Sequence, residues 1–184
     1  MIVTYKNFRG DMYYLHSRLT KKGNTTYHFA KKSAGADVRE IPEGYEIYED
    51  PNGKVYLRKI LKQLINDNEI KTIETAMEKH CPIKDFKIDV KKEYIYIYTV
   101  STPLDELKNL TPFTSGVNFD KYKDYETMLR FTLIDKQNRI FAVERFCFLG
   151  GIEDWIDLDS SENLQKLAMD YVQHIGQDSF FDLI

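Results

Sequence analysis

The chain has 184 residues, 42% of them apolar and 30% charged, enough to bury one hydrophobic core of ordinary size. It contains no run of eighteen or more apolar residues and no apolar leader after Met1, which argues against a membrane span or a secretory signal and makes a cytoplasmic setting the expectation. The net charge of −3 is unevenly spread: residues 1–39 carry eight Lys/Arg against two Asp/Glu, and residues 150–184 carry one Lys against eight Asp/Glu. Ends of opposite sign attract one another within or between molecules, or offer the basic end to an anionic partner.

In chain order, DMYYLHSRLTKKGNTTYHFAKK reads as two strands around a Lys22-Gly23-Asn24 turn, since Gly and Asn tolerate positive φ. Residues 33–44 (SAGADVREIPEG) form a polar connecting loop and the best hinge candidate. In IPEGYEIYEDPNGKVYLRK, Asp50-Pro51-Asn52-Gly53 is a strong turn signal, with Pro51 presetting φ and Gly53 free to adopt the left-handed conformation. With Asp50 facing Lys54, Tyr48 opposes Tyr56, Glu46 opposes Arg58 and Ile47 opposes Leu57. Charge and aromatic pairing thus agree on one register, and the segment reads as scaffolding.

A helix follows, capped by Asn66 or Asp67 with Glu69 in capping-box position; Ile70, Ile73 and Met77 share a face, and Pro82 ends it. FKIDVKKEYIYIYTV is a further hairpin. Pairing Val90 with Glu93 puts Phe86, Ile88, Ile95 and Ile97 on one face and Tyr94, Tyr96 and Tyr98 on the other. Thr102 to Lys123 reads as irregular or as a short helix. TMLRFTLIDKQNRIFAVERFCF is the longest hairpin: with Ile134 facing Ile140, Leu129, Phe131, Leu133, Phe141, Val143 and Cys147 line one face and Arg130 opposes Glu144 on the other. The last helix carries Leu164, Leu167, Ala168, Tyr171, Val172 and Ile175 at helical spacing, with Asp159 as its cap and Gly176 as its end; DSFFDLI is apolar enough to dock on the body. Together these elements make an α+β fold: antiparallel β-hairpins forming a largely antiparallel sheet with two amphipathic helices. The whole chain, residues 1–184, reads as one domain, within which residues 1–40 could stand apart as a basic hairpin subdomain.

Catalytic and metal-binding patterns are weak. There is no GxSxG, and Cys147 with His174 rests only on both residue types being present. Cys81 and Cys147 each stand alone, without CxxC or CxxH spacing, and read as reduced, buried thiols. His16, His28, His80 and His174 are scattered. EDWIDLDSSE resembles a calcium loop only superficially, because Glu162 stands where the turn needs Gly and Ala168 where a bidentate Glu is needed. Gly150-Gly151 is too little for a phosphate cradle. No catalytic residue, metal or cofactor is assigned.

Two surfaces remain. Tyr94, Tyr96 and Tyr98 are either covered by a helix or form a protein-binding patch, since tyrosine supplies contact area at little entropic cost. The N-terminal hairpin interleaves Arg18, Lys21, Lys22, Lys31 and Lys32 with Tyr27 and Phe29, a mixture that can hold phosphates while stacking bases; lysines at a hairpin tip also serve simply to discourage edge pairing. The expected function is therefore a non-enzymatic binding or interaction protein, able to self-associate into a homo-oligomer or to meet a protein partner. The alternative is nucleic-acid binding through the basic hairpin. No membrane partner is expected.

YLHSRLTKKGNTTYHF, IPEGYEIYEDPNGKVYLRK, RFTLIDKQNRIFAVERFCF and GQDSFFDLI, taken together, resemble a family of bacterial proteins of unknown function along nearly the whole chain. The resemblance implies a bacterial, cytoplasmic setting and carries over no site residue.

Overall fold

The computed structural model describes residues 1–101, 119–149 and 152–183. The chain forms two compact units, Met1–Ile60 with Pro103–Lys123 and Leu61–Thr102 with Asp124–Ile184. The architecture is α+β with antiparallel sheets.

The first unit holds β1 (Thr4–Lys6), β2 (Met12–Leu19) and β3 (Thr25–Ala30) in a three-stranded sheet of order β1-β2-β3, and β4 (Tyr45–Glu49) with β5 (Val55–Lys59) as a separate hairpin. The β4–β5 register follows the sequence pattern: Glu46 opposes Arg58, Ile47 opposes Leu57 and Tyr48 opposes Tyr56. The Glu46 carboxylate accepts from Arg58 Nε at 2.8 Å, and the Arg58 guanidinium lies 3.9 Å from the centre of the Tyr48 ring. Asp50 closes the turn by accepting the Asn52 and Lys54 amides at 2.9 and 2.8 Å. The loop after β1 holds this hairpin through Asn7, whose Nδ2 donates to the Gly53 carbonyl at 2.7 Å, and through Glu49, which accepts from the Tyr5 hydroxyl and the Phe8 amide, both at 2.8 Å. Leu15 and Val55 are buried.

The second unit is built on a five-stranded antiparallel meander, order β10-β9-β8-β7-β6, from β6 (Phe86–Lys91), β7 (Tyr94–Val100), β8 (Tyr125–Asp135), β9 (Ile140–Leu149) and β10 (Ile152–Ser161). Helices α1 (Asp67–His80) and α2 (Leu164–Val172) complete it. Residues that alternate along a strand point to opposite faces. One face, with Ile95, Ile97, Leu129, Phe131, Leu133, Phe141 and Val143, forms a core with Ile73 and Met77 of α1 and Leu167, Ala168 and Val172 of α2. Burying one such side chain is worth about 1.5–3 kcal/mol. Phe180, in the short 3-10 turn Asp178–Phe180, joins the same core. The tail is held by Arg145, buried on this face, which donates to the carbonyls of Leu183 and Phe181 at 2.6 and 3.4 Å.

The caps show where sequence and structure agree and where they part. Asn66 caps α1 through a complete capping box with Glu69. The cap of α2 is Asn163, which accepts from the Lys166 amide at 3.0 Å, and not Asp159. Asp159 lies inside β10 opposite Val143, five residues short of the first helical residue, so its carboxylate meets none of the helix's free amides. The β6–β7 register differs from the expected one by two positions: Val90 faces Ile95, and the turn lies at Lys92, with φ +53°. A shift of two leaves every side chain on its expected face. In β8–β9, Leu133 opposes Phe141 as expected, but the chain bulges before Asp135, so Asp135 faces Ile140 and Ile134 is exposed. Residues 102–118 of the segment read as irregular, and Gly150-Gly151, lie outside the described residues; Phe119–Tyr122 is a 3-10 turn.

Two substitutions test these units separately. Gly53 has φ +76°, and a Cβ there would stand 2.9 Å from Asn7 Nδ2. Gly53→Ala is expected to cost the first unit about 1–3 kcal/mol, measured as faster amide hydrogen exchange in β4 and β5. Ile97→Ala is expected to destabilise the second unit by about 2–5 kcal/mol in urea unfolding.

Candidate functional site: an aromatic sheet face

On the face of the meander opposite α1 and α2, the row expected from the sequence is present: Tyr94, Tyr96 and Tyr98 are half-buried and in ring contact, with centroids 5.7 Å apart between Tyr94 and Tyr96 and 6.5 Å between Tyr96 and Tyr98. No described helix lies over them. The row extends sideways through Trp155 of β10, whose ring meets Tyr96 edge-on at 5.9 Å and Phe146 of β9 at 5.1 Å. Edge-to-face contacts of this kind add about 0.5–1.5 kcal/mol each beyond burial. Trp155 was not singled out from the sequence, because EDWIDLDSSE reads as an acidic helix approach. Its strand signal is the alternation of Ile156 and Leu158, the latter packed on the core, with Trp155 and Asp157.

An ion pair anchors the middle of this face. Arg130 of β8 opposes Glu144 of β9 and donates to both its carboxylate oxygens, through Nε at 2.6 Å and through a second, shorter contact. The Thr132 hydroxyl donates to Glu144 Oε2 at 2.6 Å. The guanidinium sits between two rings, 4.3 Å from the centre of Trp155 and 5.2 Å from that of Tyr94, an arrangement that suits the delocalised cation. Burial pushes the Glu144 carboxyl up, but the hydrogen bonds from Arg130 and Thr132 and the Arg130 charge outweigh it, so its pKa lies below the ordinary value. Glu144 is thus a fixed anion rather than a proton acceptor poised near neutrality. On the β6 side, Lys91 pairs with Asp89 at 2.8 Å and lies 5.3 Å from the centre of the Tyr96 ring.

The residues of the basic hairpin are more dispersed. Cross-strand pairs share a face, so Tyr27 (opposite Ser17) and Phe29 (opposite Leu15) lie on the face of buried Leu15, while Arg18 (opposite Thr26) lies on the other with the stacked His16 and His28 rings. Lys21 and Lys22 are exposed in the turn; Lys31 and Lys32 follow the far end of β3, about 20 Å away along six residues. Lys31 is engaged with Asp11 at 2.7 Å, an exposed pair that depresses the Asp11 pKa, and the Lys32 carbonyl accepts from His16 Nε2 at 2.9 Å. Cations and rings therefore do not form one platform.

Cys81 and Cys147 are both buried, and burial raises the Cys81 thiol pKa. Among the described residues no group of three or more His, Cys, Asp or Glu could hold a metal ion, and no described helix is long and apolar enough to cross a membrane. No family model, curated protein or solved structure matches the chain, so a functional reading rests on its own residues.

Glu144→Gln keeps the shape and removes the charge beside Arg130; it is expected to lower the stability of the second unit at pH 7 by about 1–3 kcal/mol. Because the folded pKa is depressed, this stabilisation is present above the unfolded carboxylate value of about 4.3 and is lost as pH falls through the folded value. Urea unfolding monitored by the fluorescence of Trp155, the only tryptophan, should show the gap between wild type and variant closing in acid. A gap unchanged from pH 7 to pH 2.5 would contradict the assignment.

Proposed function

We propose that the protein is a non-enzymatic binding protein whose contact surface is the aromatic face of the five-stranded sheet, and that it self-associates through this face. The observation that carries this reading is the ring array from Tyr94, Tyr96 and Tyr98 through Trp155 to Phe146, set on the side of the sheet that α1 and α2 leave uncovered. Tyr and Trp are enriched at the centres of protein interfaces because they bury a large area while fixing few torsions. The embedded Arg130–Glu144 pair supports it as well, because a charge pair already satisfied within the chain can be covered by a partner without leaving either charge unpaired. Size-exclusion chromatography with light scattering at low and high salt tests the proposal. Wild type is expected above the 21.7 kDa monomer mass at micromolar concentration, and Tyr96→Ala/Trp155→Ala is expected at it. A wild-type monomer at both salt concentrations rules out self-association.

A second reading, nucleic-acid binding through the first hairpin, draws on the exposed Arg18, Lys21, Lys22 and Lys32. Titration of labelled single- and double-stranded DNA and RNA separates the two readings. Phosphate-driven binding weakens steeply with salt and is lost in a Lys21, Lys22, Lys31 and Lys32 to Ala variant, whereas an aromatic protein contact shows neither behaviour.

A further inference from the structure

We infer that the groove between α1 and α2, on the side of the second unit away from the tyrosine row, is a binding site for an elongated, hydroxyl-bearing organic bisphosphate of the phosphorylated-sugar class. The cavity measures about 640 Å³, within the range of small-molecule sites. α1 lines it with a single stripe, Lys71, Thr72, Thr75, Ala76, Lys79 and His80, whose three- and four-residue spacing puts them on one side of the helix. Gln165 and Met169 of α2 form the opposite wall.

Charge selects the ligand. The lining contains two lysines and a histidine and no carboxylate. None of the four acids of α1 lines the groove: Glu69 is bound to Arg139 at 2.6 Å, and Asp67, Glu74 and Glu78 lie beyond its edge, Asp67 and Glu74 within one turn of Lys71. Lys71, Lys79 and His80 are exposed, and among the described residues their side chains make no hydrogen bond or ion pair, so their donors are free for an external anion. Eight residues of helix separate the two lysines by about 12 Å along the axis, which favours a ligand with an anionic group at each end.

Between the lysines the groove offers acceptors. The Thr72 hydroxyl donates to the Asn68 carbonyl at 2.8 Å and the Thr75 hydroxyl to the Lys71 carbonyl at 2.7 Å, so each turns a lone pair toward the groove and suits a ligand hydroxyl. Ala76 keeps the floor shallow, and the exposed Met169 gives a flexible apolar wall for a carbon skeleton. An acidic helix would meet the same lysines, but a groove of about 640 Å³ has the dimensions of a small-molecule site, and the peptide arm of the test separates the two.

The test is ¹H–¹⁵N chemical-shift mapping of the full chain with fructose 1,6-bisphosphate, fructose 6-phosphate and inorganic phosphate as probes. Saturable shifts confined to the α1 stripe and the Gln165–Met169 turn are expected for the bisphosphate, with the monophosphate at least about tenfold weaker. Lys71→Ala/Lys79→Ala should weaken the bisphosphate at least about tenfold, and Lys71→Arg/Lys79→Arg should retain it. Both pairs are exposed substitutions, and their folding is verified by the unchanged remainder of the spectrum. The inference is overturned by any of three results: no saturable shift with any probe at 10 mM, as an order-of-magnitude ceiling for weak specific binding; equal affinity for inorganic phosphate and the bisphosphate; or an acidic helical peptide shifting the stripe where the bisphosphate does not.

Discussion

The two-residue alternation of the pleated meander, broken only at its β-bulges, governs the second unit. In β7, Ile95 and Ile97 are fully buried against the helices while Tyr94, Tyr96 and Tyr98 stand on the other side, so one seven-residue strand supplies both core and surface. A one-residue slip would exchange the two sets, placing three phenol hydroxyls in a core with no partners for them and exposing isoleucine to water. The register is consequently held by the hydrophobic effect on one face and by specific pairs on the other. Chief among these pairs is Arg130 with Glu144, which are opposite one another in only one alignment of β8 and β9.

The same constraint links stability to the proposed contact surface. Whereas α1, α2 and the C-terminal turn pack on one side of the sheet, the aromatic side is joined by lateral contacts: ring on ring, guanidinium between Tyr94 and Trp155, and Lys91 beside Tyr96. Such a surface is preorganised, and preorganisation reduces what a partner must give up in entropy on binding. The helical side differs in chemistry. Its outer groove is lined by two lysines and a histidine, so the proposed protein contact on one side and the proposed anion site on the other differ in chemistry.

The sequence made legible whatever was encoded in local pairs. Asp50-Pro51-Asn52-Gly53 with its flanking charges and tyrosines specified the β4–β5 register, and Asn66 with Glu69 specified the start of α1. Element β10 was obscured because aspartates are poor strand formers and good helix caps, so Asp159 suggested a cap although an edge strand carries it at little cost. Three-residue β1 is too short for any period to show. Of the tyrosine face, the row itself followed from alternation, but Trp155 and Phe146 reach it only through the order β10-β9-β8-β7, a non-local property that no spacing along the chain contains. The α1–α2 groove is non-local in the same way: the stripe from Lys71 to Lys79 becomes a wall only once α2 packs beside it.

The two-faced sheet is tested most directly by side-chain NOEs in solution. Cross-peaks from the Ile95 and Ile97 methyls to Met77, Leu167 and Ala168 are expected, together with a separate network joining the Tyr94, Tyr96 and Tyr98 rings to Trp155. NOEs from those tyrosine rings to the Met77 or Leu167 methyls would contradict it.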